Sequence, residues 1–127
     1  MASVYYMTFD CADPRALATF WATALSYEIC APNEAAGEVE LRDPTGEGPR
    51  LGFMEVPESK VVKNRVHLDL LPDATLEEEV ERLTASGATV VETLRDPESF
   101  VDPMHWTVML DPEGNEFCVI ERRGEHT

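Results

Sequence analysis

His67, Asp69 and Cys118 have side chains suited to acid–base or metal chemistry, and they lie in segments with the alternating pattern of β-strands. His67 and Asp69 are two residues apart in segment 65–71, so on a strand both side chains would lie on the same face. A carboxylate beside an imidazole can orient the ring and stabilise its charged form, as in a general acid–base pair. Cys118 lies in a second such segment, 116–122, and could act as a nucleophile if His67 were near enough to lower its pKa.

Each of these residues also has a purely structural interpretation. His67 and Asp69 could form a hydrogen-bonded pair that only fixes the sheet, and both interpretations stay open. For Cys118 we favour a small buried hydrophobic residue over a nucleophile, because free cysteine is among the residue types most often buried.

Three further residues are candidates for ligand binding. Tyr6 and Thr8 share one face of the first alternating segment, 3–10, and the Tyr6 hydroxyl could either donate to a ligand or fill space. Trp106 could stack on a planar or cationic ligand, although a core position at the start of a strand is the interpretation we favour. We therefore predict a ligand-binding set of Tyr6, Thr8, Trp106 and Cys118, with His67 and Asp69 as the catalytic pair if the protein is an enzyme.

The elements that would position these side chains occur twice in the same order. The turn sequence Asp43-Pro44-Thr45-Gly46 recurs as Asp111-Pro112-Glu113-Gly114, and an alternating strand and an amphipathic helix lie ahead of each copy. The predicted strands are 3–10, 27–31, 39–42 and 50–56 in the first unit, and 65–71, 88–94, 106–110 and 116–122 in the second. We predict a single α+β domain with two tandem βαβββ modules, about residues 3–57 and 64–123. Its curled mixed sheet would enclose a small molecule.

The two helices have recognisable beginnings. Asp13 followed by Pro14 is typical of a helix start, and the second helix should be capped by Asp73 or by Thr75. Their apolar stripes predict the core-facing sides, listed as Ala16, Leu17, Phe20, Trp21, Ala24 and Leu25, then Leu76, Val80 and Leu83. Gly87 should end the second helix.

The second unit is the longer of the two. Asp73 lies 38 residues before Asp111, against 30 residues from Asp13 to Asp43. We assign the surplus to segment 95–105, either as the rim or lid of a binding site or as surface decoration.

Composition restricts the classes of partner. The chain has 25 acidic and 10 basic side chains and a net charge of −15, which excludes nucleic acid as a partner. The charge suits a cationic small molecule, although solubility alone is the simpler explanation. No apolar run is long enough for a membrane span, and three widely spaced cysteines favour reduced thiols, so we expect a cytoplasmic protein.

Three stretches carry a resemblance to a known superfamily. They are Asp13-Pro14 through Phe20-Trp21 to Tyr27, Lys63 through His67 to Leu70, and Trp106 through Asp111-Pro112-Glu113-Gly114 to Val119. This pattern resembles the vicinal oxygen chelate superfamily of glyoxalases, resistance proteins and dioxygenases, and in particular its small glyoxalase-like domains. The resemblance implies the paired βαβββ fold, a homodimer, and a divalent metal held by side chains of the first and last strands of each unit.

The resemblance also places the metal positions on this chain. They fall on Tyr6, Gly52, His67 and Cys118, of which only His67 is a ligand of the usual kind, with Asp69 near enough in sequence to supplement it. Such a set suits zinc or iron better than magnesium, manganese or calcium, and we favour a metal-free site with no assigned cofactor. We therefore predict a small-molecule binding protein like the drug-binding resistance proteins. The alternative is a lyase, isomerase or dioxygenase that acts through His67.

Overall fold

The computed structural model describes residues 1–30, 36–96 and 105–121, and ten helices and strands lie within them. In chain order they are β1 (Tyr6–Cys11), α1 (Pro14–Leu25), β2 (Glu28–Ile29), β3 (Glu38–Arg42), β4 (Arg50–Glu55), β5 (Asp69–Leu70), α2 (Leu76–Ala85), β6 (Thr89–Arg95), β7 (His105–Leu110) and β8 (Glu116–Ile120).

These elements form two compact units, Met1–Val61 and Val62–Thr127. Each unit has one helix and one four-stranded mixed sheet, with the strand order β1-β4-β3-β2 in the first and β5-β8-β7-β6 in the second. The first and last strands of each unit pair in parallel, and the other neighbours are antiparallel. The α+β class and the repeated βαβββ order are confirmed.

Helix α1 begins as its sequence predicts. Pro14 occupies the first turn, where a missing N–H costs nothing, and Asp13 Oδ1 accepts a hydrogen bond from the Ala16 amide at 3.1 Å. The predicted stripe is right for Leu17, Phe20, Trp21 and Ala24, which are buried. Ala16 is exposed with Ala18 buried in its place, and Leu25 is half-buried. The buried side includes Phe20 and Trp21, which confirms their core assignment.

Aromatic rings fill the core of the first unit. Phe53 on β4 stacks on Phe9 of β1 with 5.0 Å between ring centroids, and Trp21 of α1 lies 5.5 Å from Phe9. Alternation along the strands sends these rings to the helix side and leaves the polar residues on the other face of the sheet.

Helix α2 is capped by Thr75 rather than by Asp73. The Thr75 hydroxyl accepts from the Glu78 amide at 3.1 Å, while the Glu78 carboxylate accepts from the Thr75 amide at 3.3 Å, which completes a capping box. At the other end Gly87 adopts a φ of +120°, and the Ala88 amide reaches back to the Leu83 carbonyl at 3.0 Å. Gly87 therefore ends the helix as predicted.

Replacing Thr75 with alanine should lower the free energy of unfolding by about 1 kcal/mol, because the Glu78 amide loses the hydroxyl oxygen that accepts its hydrogen bond. Thr84→Ala is the matched control, since Thr84 lies near the C-terminal end of the same helix and its hydroxyl donates to the Val80 carbonyl at 2.7 Å. Urea denaturation measures both variants. Equal losses would show that the cap contributes nothing.

Strand β5 is much shorter than predicted. It contains only Asp69–Leu70, whereas 65–71 was expected, and Val66 ahead of it is 78% exposed. The reason lies in Asn64, whose amide bonds the Glu116 side chain at 2.9 Å and whose own side chain bonds the Glu116 carbonyl. A segment held by these bonds does not continue the ladder with β8.

Four other strands are shorter at one or both ends than predicted. β1 begins at Tyr6 instead of residue 3, and β2 contains only Glu28–Ile29 of the predicted 27–31. β4 ends at Glu55 instead of residue 56, and β8 ends at Ile120 instead of residue 122. Most of the predicted lid or rim, residues 97–104, lies outside the described residues. Neither helix in the described part of the chain is long and apolar enough to cross a membrane.

Candidate functional site

The second unit brings Asp69 and Cys118 together through strand pairing. β5 runs parallel to β8 with Asp69 opposite Cys118, and the Cys118 amide bonds the Leu68 carbonyl at 2.9 Å. Residues that are partners in neighbouring strands present their side chains on the same face of the sheet. The two predicted site residues therefore share a face.

His67 joins this pair from just ahead of the strand. Its Nε2 atom lies 3.4 Å from Asp69 Oδ1, and both side chains are almost half exposed. The donor atoms of His67, Asp69 and Cys118 all lie within 4.8 Å of one another. The arrangement is compatible with the predicted acid–base pair, which stays a prediction.

Cys118 is only 8% exposed, and its surroundings keep the thiol protonated. Burial, the charge of Asp69 and a hydrogen bond to its carboxylate, in that order of size, together raise the pKa of Cys118 from 9.0 to about 11. A nucleophilic cysteine needs the opposite shift. In the metal-free protein this thiol is therefore suited to packing and hydrogen bonding.

The three donor atoms fit a soft divalent ion better than a hard one. Zinc binds imidazole, carboxylate and thiolate at about 2.0–2.3 Å, which places neighbouring donors roughly 3.5 Å apart. The pair of His67 and Asp69 already has that spacing, and Cys118 Sγ lies within 4.8 Å of both donor atoms. Magnesium or calcium would require more oxygen ligands than the single carboxylate in this cluster.

Trp106 lies on the same face of the second sheet as Cys118. Val108 on β7 is the strand partner of Cys118, and Trp106 is two residues from Val108, so the three side chains point to one side. Trp106 is half-buried, which leaves part of the indole accessible.

The first unit repeats this register position by position. β1 runs parallel to β4 with Thr8 opposite Gly52, as Asp69 lies opposite Cys118 in the second unit. Counting back two residues makes Tyr6 the counterpart of His67. The three positions therefore correspond between units in the same way as the superfamily resemblance implies.

Gly52 contributes no ligand atom and leaves little room for one. A Cβ atom at this position would lie 3.1 Å from the Thr8 hydroxyl oxygen, closer than most real Cβ contacts. A larger residue there would push Thr8 aside. The first unit thus lacks a donor at the position where the second unit has the Cys118 thiol.

Tyr6 is instead tied into a charged network on this face. Its hydroxyl donates to Glu40 Oε1 at 2.6 Å, while Arg50 and Cys30 donate to Glu40 Oε2 at 3.3 and 3.4 Å. The bond to Glu40 raises the pKa of Tyr6, and the bond from Tyr6 is the main cause that lowers the pKa of Glu40. Tyr6 therefore stays a neutral donor and Glu40 an anion at neutral pH.

The same face of the first sheet carries a cleft of about 390 Å³. Its lining includes Tyr6 and Thr8, two of the four residues predicted to bind a ligand, together with Gly52. The acidic lining residues Glu38 and Glu40 come from β3. The cleft belongs wholly to residues of the first unit.

Glu40 and Arg50 were not among the residues predicted from the sequence. Both could have been found, because Glu40 alternates with the buried Val39 and Leu41, and Arg50 lies two residues before Gly52. Side chains alternate between the two faces of a strand, and the same alternation on β3 and β4 predicts that Glu40 and Arg50 lie on the face of Tyr6.

The fold and the repeated strand positions define a protein of the vicinal oxygen chelate superfamily. Within it, the glyoxalase-like domain family matches residues 6–120, so this chain belongs to that family. No curated protein matches the chain in sequence.

Solved structures share the fold at low sequence identity. A glyoxalase/bleomycin resistance protein/dioxygenase family enzyme from Burkholderia phytofirmans PsJN is 18% identical, covers 93% of this chain and 97% of its own, and has a TM-score of 0.70. The fosfomycin resistance protein FosX from Mesorhizobium loti is 12% identical, with coverage of 99% and 96% and a TM-score of 0.71. TioX from Micromonospora sp. ML1 is 16% identical, with coverage of 93% and 97% and a TM-score of 0.58.

Proposed function

We propose that this protein binds a small organic molecule on the polar faces of its sheets, as drug-binding members of its superfamily do. The observation that carries the proposal is the cleft of about 390 Å³ in the first unit, lined by the predicted residues Tyr6 and Thr8. Its size lies within the range of small-molecule pockets, roughly 300–1,000 Å³. Trp106 and Cys118 supply a second, more apolar face in the second unit.

Two features favour binding over catalysis. Cys118 has a pKa of about 11, so the thiol is uncharged at neutral pH and a poor nucleophile. Gly52 removes one of the four metal positions that the superfamily resemblance implies. The protonated thiol disfavours nucleophilic catalysis, and the glycine disfavours metal binding. Neither feature removes the surface on which a ligand could bind.

The second candidate is an enzyme that acts through His67. The contact of 3.4 Å between its Nε2 atom and Asp69 Oδ1 favours this candidate, because the carboxylate can hold the imidazole ring in one orientation. If a zinc or ferrous ion binds, His67, Asp69 and Cys118 would hold it, and the ion would supply a Lewis acid for a bound oxygen atom. His67 would then be a ligand and would not be free to move a proton.

Thermal unfolding in the presence of a compound panel tests the binding function. The panel contains fosfomycin, small aromatic acids and small amines, each with the wild type and with Gly52→Leu, whose side chain fills the cleft. A compound at about ten times its Kd should stabilise the wild type by about 1.4 kcal/mol, or roughly 4 °C, and should not stabilise Gly52→Leu.

Metal analysis of protein purified without chelator separates the two candidates. Stoichiometric zinc or iron that disappears in His67→Ala would favour the enzyme. A metal-free protein that is still stabilised by a compound would favour the binding function.

The thermal-unfolding panel also has an outcome that would contradict a ligand site in the cleft. This outcome is that every compound raises the unfolding temperature of the wild type and of Gly52→Leu equally, or raises neither.

We also propose that the protein is a cytoplasmic homodimer. The superfamily resemblance supports the dimer. None of the three cysteines, Cys11, Cys30 and Cys118, forms a disulfide bond, which supports a reducing compartment. Light scattering at several protein concentrations measures the oligomeric state directly.

A further inference from the structure

The charge of the first-unit cleft restricts what can bind in it. Its ionisable side chains apart from Tyr6 are the carboxylates of Glu38 and Glu40, and the lining contains no lysine, arginine or histidine. Arg50 contacts Glu40 from outside the lining and compensates one of the two negative charges. Arg42, two residues along β3, also lowers the pKa of Glu40 through its charge. The carboxylate of Glu38 on the lining favours a singly charged cation.

The hydrogen bonds of Glu40 leave one acceptor position unused by the described contacts. Its Oε2 atom accepts from both Arg50 and Cys30, whereas Oε1 accepts only from Tyr6. A carboxylate oxygen has two lone-pair directions, so Oε1 can accept one further N–H. The low pKa of Glu40 keeps that oxygen charged at neutral pH.

The rest of the cleft suits an uncharged group beside the cation. Gly52 has no side chain to occupy the centre of the face, and the neighbouring Met54 is 42% exposed. A thioether adapts its shape to aromatic and aliphatic groups. Glu38 is exposed, and it is the strand partner of Met54 in the pairing of β3 with β4.

We propose that this cleft selects a small monocation with a protonated primary or secondary amine. The amine would donate to Glu38 and Glu40, and the apolar part would lie over Gly52 against Met54. This inference rests on the proposed ligand-binding function and names the class of ligand. Because the recognition uses N–H donors, a quaternary ammonium of the same shape should bind less well than the amine.

Calorimetric titration with phenethylamine and two matched compounds tests the class of ligand. The N-acetyl derivative has no charge, and the N,N,N-trimethyl derivative keeps the charge but has no N–H donor. We expect saturable binding of phenethylamine and about tenfold weaker binding of both derivatives.

Matched charge variants test the residues. Glu38→Gln and Glu40→Gln should each weaken phenethylamine binding about tenfold, whereas Glu47→Gln should change it less than about twofold. Glu47 is exposed in the turn region and does not line the cleft, so this control removes the same charge from the whole protein. Glu38 is exposed, so Glu38→Gln remains a valid test if Glu40→Gln disturbs folding.

The outcomes separate this inference from the function on which it rests. Equal binding of the N-acetyl derivative, equal losses in Glu38→Gln and Glu47→Gln, or no saturable binding of phenethylamine would overturn the amine proposal. The binding function would stand in each case if another compound of the thermal panel stabilises the wild type and not Gly52→Leu. Failure of the whole panel would remove both.

Discussion

Replacing Phe53 with alanine should lower the free energy of unfolding by about 4 kcal/mol, a large part of the stability of a domain this size. Phe53 is 0% exposed and stacks on Phe9, which in turn contacts Trp21 of helix α1. Alanine would remove the ring that joins β1, β4 and the helix and would leave a cavity behind. Urea denaturation followed by far-ultraviolet circular dichroism measures the loss.

Met54→Ala is the matched control for this experiment. Met54 is the next residue on the same strand, but it is 42% exposed and points to the opposite face of the sheet. It should cost less than about 1 kcal/mol. If Phe53→Ala cost as little as Met54→Ala, the aromatic core of the first unit could not be as described.

The metal-free protein should lose stability between about pH 9 and 11 because of Cys118. Its pKa is raised from 9.0 to about 11 in the folded protein, so the folded state binds this proton more tightly than the unfolded chain does. The stabilisation is complete below pH 9 and disappears as the pH rises through 11. The largest contribution is about 2.7 kcal/mol.

Urea midpoints at several pH values in the presence of EDTA measure this loss. Cys118→Ala removes the titrating group and should flatten the alkaline part of the curve, after both proteins are compared with their own values at pH 8. Asp69→Asn should weaken the dependence, because the charge of Asp69 helps to raise the pKa of Cys118. A wild-type curve with the same alkaline slope as Cys118→Ala would argue against a protonated, buried thiol.

The parts of the fold that depend on local signals were predictable. The Asp13-Pro14 start of α1, the Thr75 capping box and the Gly87 helix end each follow from bonds among residues close in sequence. Strand β5 was not, because its length depends on Asn64 bonding Glu116, 52 residues away. Alternation within 65–71 contains no information about that partner.

The candidate site also has features that the sequence predicts and features that it does not. Face alternation was enough to predict that His67, Asp69 and Cys118 lie together, and that Tyr6 and Thr8 share a face. The direction of the Cys118 pKa shift could not be predicted, since it depends on burial and on the Asp69 charge opposite it. The Glu40 network was missed because the strand that carries it was not searched for polar residues.

The registers of β1 with β4 and of β5 with β8 match, so each residue of one unit can be compared with its counterpart in the other. If both halves descend from one copied ancestor, each differing pair, such as Gly52 and Cys118, records a substitution that followed the copying. Such changes lie on the face turned away from the helix, so a half could acquire a new chemical character without refolding. A fold of this kind can change the ligand that it binds during evolution while its backbone structure stays the same.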